Sequence, residues 1–413
     1  MPVKRPFVLA ALAAALFFTA LTAQEEGLTI EKAVEIAQSR NPDVLAARTS
    51  VEAARGRTLQ LKARPEPQIL ASFEGLPIPG LKKEGDQTEV NLGIEQVFEY
   101  PGKRSLREEI GCQGEELAQA ELERARLLVA ARVKKAYWKA AFAGSAAEAL
   151  GKSESRLDAL LADLQAKYRT SAASYADILR ARAEKARLRN QIIEQTKERS
   201  AAGLELNVLL GRASDEPVEL LTAMSFTPLA GDLPGLWENA RATRPSFTIA
   251  AILKNRAASA VKLAGLSRRP DFLAGFFLPS VRTNAWGISF GLTMPFLRPG
   301  RADGAAMEAG AEAEFARISA EALDRRVRSV LERTYNAAKA AEEQVLVFEK
   351  SLLTELEGEL QIQLEYFRYG KVEAFSLLDL HRTYILAEVE HLRALLSYSL
   401  ALVDLEVAGE ETE

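Results

Sequence analysis

This 413-residue chain contains only one cysteine and two histidines, the side chains that most often hold zinc. Cys112 alone excludes an intrachain disulfide and a cysteine-cluster metal site. Its neighbours Gly111 and Gln113 suggest a buried or tolerated thiol rather than a reactive one. His381 and His391 lie ten residues apart on one stretch of helical character, so they face different directions and form no joint metal site. The chain also lacks an excess of positive charge. Its net charge is −4, and the basic stripe of a general nucleic-acid binder is missing. No glycine-flanked serine elbow and no cysteine–histidine pair occur. Gly102-Lys103 is not a phosphate loop, because Val97 stands where the first glycine would be needed. No catalytic constellation and no cofactor are expected.

Long apolar runs are scarce too. The one that exists follows Lys4 and Arg5, runs from Phe7 to Leu21 and ends in Thr22-Ala23, which reads as a signal peptide over residues 1–23. It is too short for a confident membrane span, and no run of about 20 apolar residues follows it, so no transmembrane helix is expected beyond it.

Proline is absent from residues 102–216 and again from 300–413. Both stretches are rich in Ala, Leu, Glu, Arg and Lys, and carry helix-spaced apolar residues such as Leu157, Leu160, Leu161 and Leu164. Each reads as a very long helix, a turn and a shorter return helix. Lys103–Arg169 and Arg301–Phe367 each contain 67 residues, roughly 100 Å of helix at 1.5 Å per residue. Helices of that length need neighbours along their whole course. The turns fall at Tyr168–Ser174 and Tyr366–Lys371. Gly370 suits a left-handed C-cap, and Ser174 suits an N-cap for the return helix.

The two proline-free stretches belong to a duplication. A shift of 203 residues brings Pro42 onto Pro245, Ala54 onto Ala257 and Phe73 onto Phe276. A shift of 198 brings Phe98, Pro101, Gly102 and Tyr137 onto Phe296, Pro299, Gly300 and Tyr335. The fold is therefore read per repeat: residues 24–211, a connector at 212–231, residues 232–409, and a tail at 410–413. Each repeat opens with one helix, about Thr29–Lys62 and Leu233–Ser267. Two strands follow, at about 68–75 and 89–97, then 271–278 and 286–294. The helical hairpins span 103–210 and 301–407. Val90, Leu92 and Ile94 alternate with Glu89, Asn91, Gly93 and Glu95. Trp286, Ile288, Phe290 and Leu292 alternate with Gly287, Ser289, Gly291 and Thr293. A soluble hairpin packed on the helices would alternate in the same way. Small or polar residues opposite large apolar ones, together with the leader, favour strands in a membrane barrel. Four strands cannot close a barrel, and open edges cannot face lipid, so several chains must share one.

The chain resembles the TolC-type outer-membrane efflux proteins over essentially all of its length after the leader. Leu28-Thr29-Ile30-Glu31-Lys32-Ala33 followed by Asn41-Pro42 is similar to that family's N-terminal signature. So are Gln96-Val97-Phe98 with Pro101-Gly102-Lys103-Arg104, Ala136-Tyr137-Trp138, and Leu206-Asn207-Val208-Leu209-Leu210-Gly211. The resemblance implies an α+β, mostly α fold. It implies a homotrimer with a twelve-strand outer-membrane β-barrel on a long periplasmic α-helical barrel, serving as exit duct for an inner-membrane pump of the RND type through a periplasmic adaptor. Gly102-Lys103-Arg104 is reminiscent of the heavy-metal and cation branch. Val90, Leu92, Ile94, Trp286, Ile288, Phe290 and Leu292 are then the lipid-facing set. The two turns become the periplasmic gate, with Ser171 and Gly370 in the turns and Asp177, Glu373, Ser376 and Asp379 after them. Of the family's pair of pore carboxylates only Asp379 is kept, since Ser376 holds the other position. The basic partner of Asp177 falls on Val372, so that bond is absent or moved to Lys371. A soluble periplasmic helical-hairpin adaptor is the alternative.

Overall fold

The computed structural model describes residues 27–74, 89–278, 285–297, 300–349 and 352–410. The leader, with Lys4 and Arg5, and most of both strand-joining loops lie outside the described residues. The first repeat forms α1 (Ile30–Arg40), α2 (Pro42–Lys62), β1 (Gln68–Glu74), β2 (Glu89–Phe98), α3 (Lys103–Arg169) and α4 (Tyr175–Leu209). The second forms α5 (Leu233–Thr243), α6 (Pro245–Leu266), β3 (Phe272–Phe277), β4 (Gly287–Leu292), α7 (Gly300–Glu349), α8 (Leu352–Arg368) and α9 (Ala374–Glu406). Each repeat therefore runs helix, helix, strand, strand, long helix, helix, the long helix of the second repeat being α7 and α8.

One expectation needs correcting. Each repeat opens with two helices, not one. Asn41 and Arg244 precede prolines and take ψ of 131°, because a proline ring crowds the α conformation of the residue before it. Pro42 and Pro245 then start the next helix, where a missing N–H costs nothing. Asn41 is buried, and its Nδ2 donates to the Leu209 carbonyl at 2.9 Å. The long helix of the second repeat is described as α7 and α8, with residues 350 and 351 outside the described set.

The chain divides into two compact units that cut across the repeats. The first holds the residues up to Asn41, Arg132–Pro228 and Ala340–Val403. Its main core joins four helices: Leu157 and Leu164 from α3, Ile178 and Leu188 from α4, Leu360 and Phe367 from α8, and Leu377 and Ile385 from α9. The motifs picked out in the sequence tie its margins. Tyr137 is fully buried, donates to the Leu28 carbonyl and accepts from the Thr222 amide, both at 2.8 Å. Asn207 donates to the carbonyls of Ser214 and Glu216, holding the connector.

The second unit holds Pro42–Ala131, Leu229–Lys339 and the residues from Asp404 onward. Leu331, Leu405, Ala408 and Ala240 form one of its cores. Glu410 is no free tail. Its side chain is fully buried, and its Oε1 accepts from the amide and hydroxyl of Ser246 at the start of α6. Arg124 donates to its backbone carbonyl at 2.9 Å.

Candidate functional site

The strands of the second unit form one antiparallel sheet in the order β1-β2-β3-β4. The register lines up large apolar side chains across it. One row reads Ile69, Ile94, Phe276 and Ile288; others join Phe73 to Val90 and link Phe98, Phe272 and Leu292. All of these are exposed, Phe290 the most at 82%. Trp286, just before β4, stacks its ring on Phe276 with centroids 6.1 Å apart. Every residue expected on the apolar face (Val90, Leu92, Ile94, Trp286, Ile288, Phe290 and Leu292) is exposed, and the six within the strands fall on this single face.

The opposite face is mixed: Ser72, Asn91, Gly93, Glu95, Gly275 and Ser289 are small or polar, and Leu70, Val97, Leu273 and Phe277 lie among them. Phe277 lies across Gly93, where an added Cβ would come within 2.5 Å of the ring and 2.9 Å of the Phe276 carbonyl. Thr293, expected to continue β4, lies beyond the strand. Its hydroxyl accepts from the Asp271 amide, and its amide donates to the Asp271 carbonyl. Lys103, in the Pro-Gly-Lys-Arg motif, reaches the Asp271 carboxylate at 2.8 Å and the Arg269 carbonyl at 2.9 Å. The motif is the clasp where β2 turns into α3.

The second candidate lies in the first unit, where both helical turns come together. The turns share one closing pattern. Ala172 donates to the Lys167 carbonyl and Lys371 to the Tyr366 carbonyl, the long-range bond of a Schellman C-cap. The left-handed residue is Gly370 in one turn, with φ 73°, and Ser171 in the other, with φ 58°. Lys167 also donates to the Arg368 carbonyl, and Arg180 stacks over Phe375. Tyr175, Tyr369 and Phe375 are exposed around these turns.

Asp177 takes part in a capping box. It accepts from the Ser174 amide and hydroxyl, while the Ser174 side chain accepts from the Asp177 amide. Arg180 lies 3.3 Å from its carboxylate. Lys371, the alternative partner expected from the sequence, instead lies over the Tyr366 ring. Glu373 immediately precedes α9, where a negative charge favours the helix start. Ser376 and Asp379 are exposed in its first turns.

Cys112, expected to be either buried or a tolerated thiol, is exposed, which removes the buried alternative. Sequence reasoning missed His381, which is buried against Ser153 of α3 with Nε2 and Oγ 2.9 Å apart. The available signal was its place on the stripe of Leu377, Leu378, Tyr384 and Ile385. His391 faces elsewhere, towards the Phe348 ring. Among the described residues no helix is long and apolar enough to cross a membrane.

An open-edged sheet with one apolar face, carried by a chain of duplicated helical hairpins, is the fold of a TolC-like channel protomer. The family model described as Outer membrane efflux protein matches residues 33–212. No curated protein sequence matches the chain. Solved structures share its fold. The outer-membrane channel OprN superposes with a TM-score of 0.76 at 17% identity, covering 92% of this chain and 89% of its own. The CmeC channel of Campylobacter jejuni gives 0.75 at 15% identity, with 92% and 85% covered. The MtrE channel of Neisseria gonorrhoeae, in its open state, gives 0.75 at 18%, with 92% and 88% covered.

Proposed function

We propose that the protein is the exit duct of a tripartite efflux or type I secretion system, passing substrates from an inner-membrane pump and its adaptor to the outside without chemistry of its own. It lies in the outer membrane and extends into the periplasm. The observation that carries this reading is the sheet: a continuous exposed apolar face, a mixed face behind it, and a chain edge at each end. Lipid satisfies the apolar face, and only other chains can satisfy the edges. Three copies close twelve strands, which makes the working form a homotrimer.

The exposed aromatics and cations at the two turns are the surface for the periplasmic adaptor, and an RND-type pump supplies the energy. The resemblance to the cation-efflux branch rests on Gly102-Lys103-Arg104. Lys103 is committed to Asp271 and Arg269, so this motif builds a junction and confers no cation selectivity. Ion preference belongs to Asp379, whose copies form a charged ring about the three-fold axis.

Membrane fractionation tests the reading. The protein stays with the outer-membrane pellet after a high-salt wash and needs detergent for release. Release by salt alone would instead identify a soluble periplasmic hairpin protein.

A further inference from the structure

His381 is an ionisable group in the apolar seam between the two hairpins of the first unit. It is 4% exposed, and Ser153 opposite it is 1% exposed. Ser153 Oγ lies 2.9 Å from Nε2, and Nδ1 is buried without a hydrogen-bond partner. The stripe one turn either side of His381 on α9 is Leu377, Leu378, Tyr384 and Ile385. The matching positions around Ser153 on α3 are Leu150 and Leu157, all buried.

Among the described residues, the charged groups around this seam offer no counterion. On α3, Arg156 is the nearest influence, and it opposes a second positive charge. Arg156 is bound to Glu357 of α8 at 3.0 Å and lies over the Tyr384 ring. Glu154 of α3 faces Arg189 of α4, and Lys152 of α3 pairs with Glu148. On α9 itself, Asp379 and Arg382 are exposed, and Glu388 lies towards Lys152 and Tyr384. A neutral imidazole leaves one lone pair unused. A protonated one must place a second N–H and a full charge in an apolar seam, which is far more costly.

We propose that His381 is a proton-operated latch: neutral, it holds α9 against α3; protonated, it releases the start of α9 and with it the second turn. The proposal rests on the channel reading, because releasing that turn is what would open a duct whose gate residue Asp379 lies two positions away. Burial holds the imidazole below the ordinary histidine range. The unfolded or released chain therefore takes up the proton more readily than the packed one. The latch is at full strength above the ordinary histidine pKa, about 6.5, and weakens as the pH falls below that and through the lowered value.

Amide hydrogen exchange on the full chain in detergent tests this, followed from pH 7.5 to 5.0 and corrected for intrinsic exchange. Protection across residues 374–390 should fall severalfold in the wild type as the pH drops. His381→Gln, which stays neutral and can still bond Ser153, should remove that pH dependence. His391→Gln should keep it. An acid response that survives in His381→Gln overturns the latch, as does a wild type whose α9 protection is indifferent to pH. The wild-type series decides alone if the variant does not assemble. Planar-bilayer conductance separates the two readings. A chain that conducts at no pH counts against the channel, while exchange still decides the latch.

Discussion

Ser174 and Asp177 satisfy each other's backbone at the first turn, so the carboxylate that the family resemblance assigned to an inter-helix bond is already occupied within its own helix. Its role here is to fix where α4 begins. Ser174→Ala should therefore loosen the turn by about 1 kcal/mol, the usual worth of an N-cap side chain, read as faster exchange at residues 171–178 with the rest of the chain unchanged. Asp379 has the opposite character. Its side chain is exposed, and only its backbone carbonyl is used, accepting from Thr383. Among the described residues no salt bridge pairs a cation with its carboxylate, so the proposed pore role can be tested directly. Rings of like carboxylates favour cations at a constriction. Asp379→Asn should reduce cation preference in planar bilayers several-fold and weaken block by multivalent cations, with folding unaffected. Unchanged selectivity would make Asp379 an ordinary surface acid.

At the scale of elements, the sheet was legible in the sequence because its signal is local. Alternation of period two predicted the apolar face correctly on both strands where it was read, and the cross-strand register extends it over all four. Barrel strands make a depth-dependent prediction. Arginine at the middle of a lipid face costs about 2–4 kcal/mol, whereas the lumen tolerates it. Ile288→Arg and Phe290→Arg should lower the yield of assembled protein in the outer membrane far more than Asn91→Arg or Ser289→Arg. Equal losses on both faces would contradict the assignment. Thr293 is unsuited as a lumen control, since both its hydroxyl and its amide bind Asp271. Hairpin boundaries were legible for a similar reason: absence of proline, a capping serine and a left-handed glycine are all local marks. The breaks before Pro42 and Pro245 were readable in principle, but the helical composition on both sides concealed them. The pairings Ser153–His381 and Ser246–Glu410 span 228 and 164 residues. No periodicity encodes contacts of that range; they arise only when distant helices pack.

For the whole molecule, the two outer strands decide how chains assemble. The chain's sheet runs from β1 to β4 without closing, and each edge presents unpaired backbone groups that hydrocarbon cannot satisfy. Within one chain β1 and β4 are three strand spacings apart, about 14 Å. A disulfide needs Cα atoms within about 7 Å, so cysteines on these two strands cannot join inside one chain. They can join between chains if β4 of one copy pairs with β1 of the next. In a Cys112→Ser background, Phe290→Cys combined in turn with Ile69→Cys, Ala71→Cys and Phe73→Cys covers the registers that place both residues on the apolar face. Oxidation in the membrane should give dimers and trimers on a denaturing gel in at least one combination, with no higher species, because a ring of three has no free edge left. A ladder extending past three chains would mean open-ended association through the same edges. Monomers throughout the set would mean that β1 and β4 do not meet, and the shared barrel would fall.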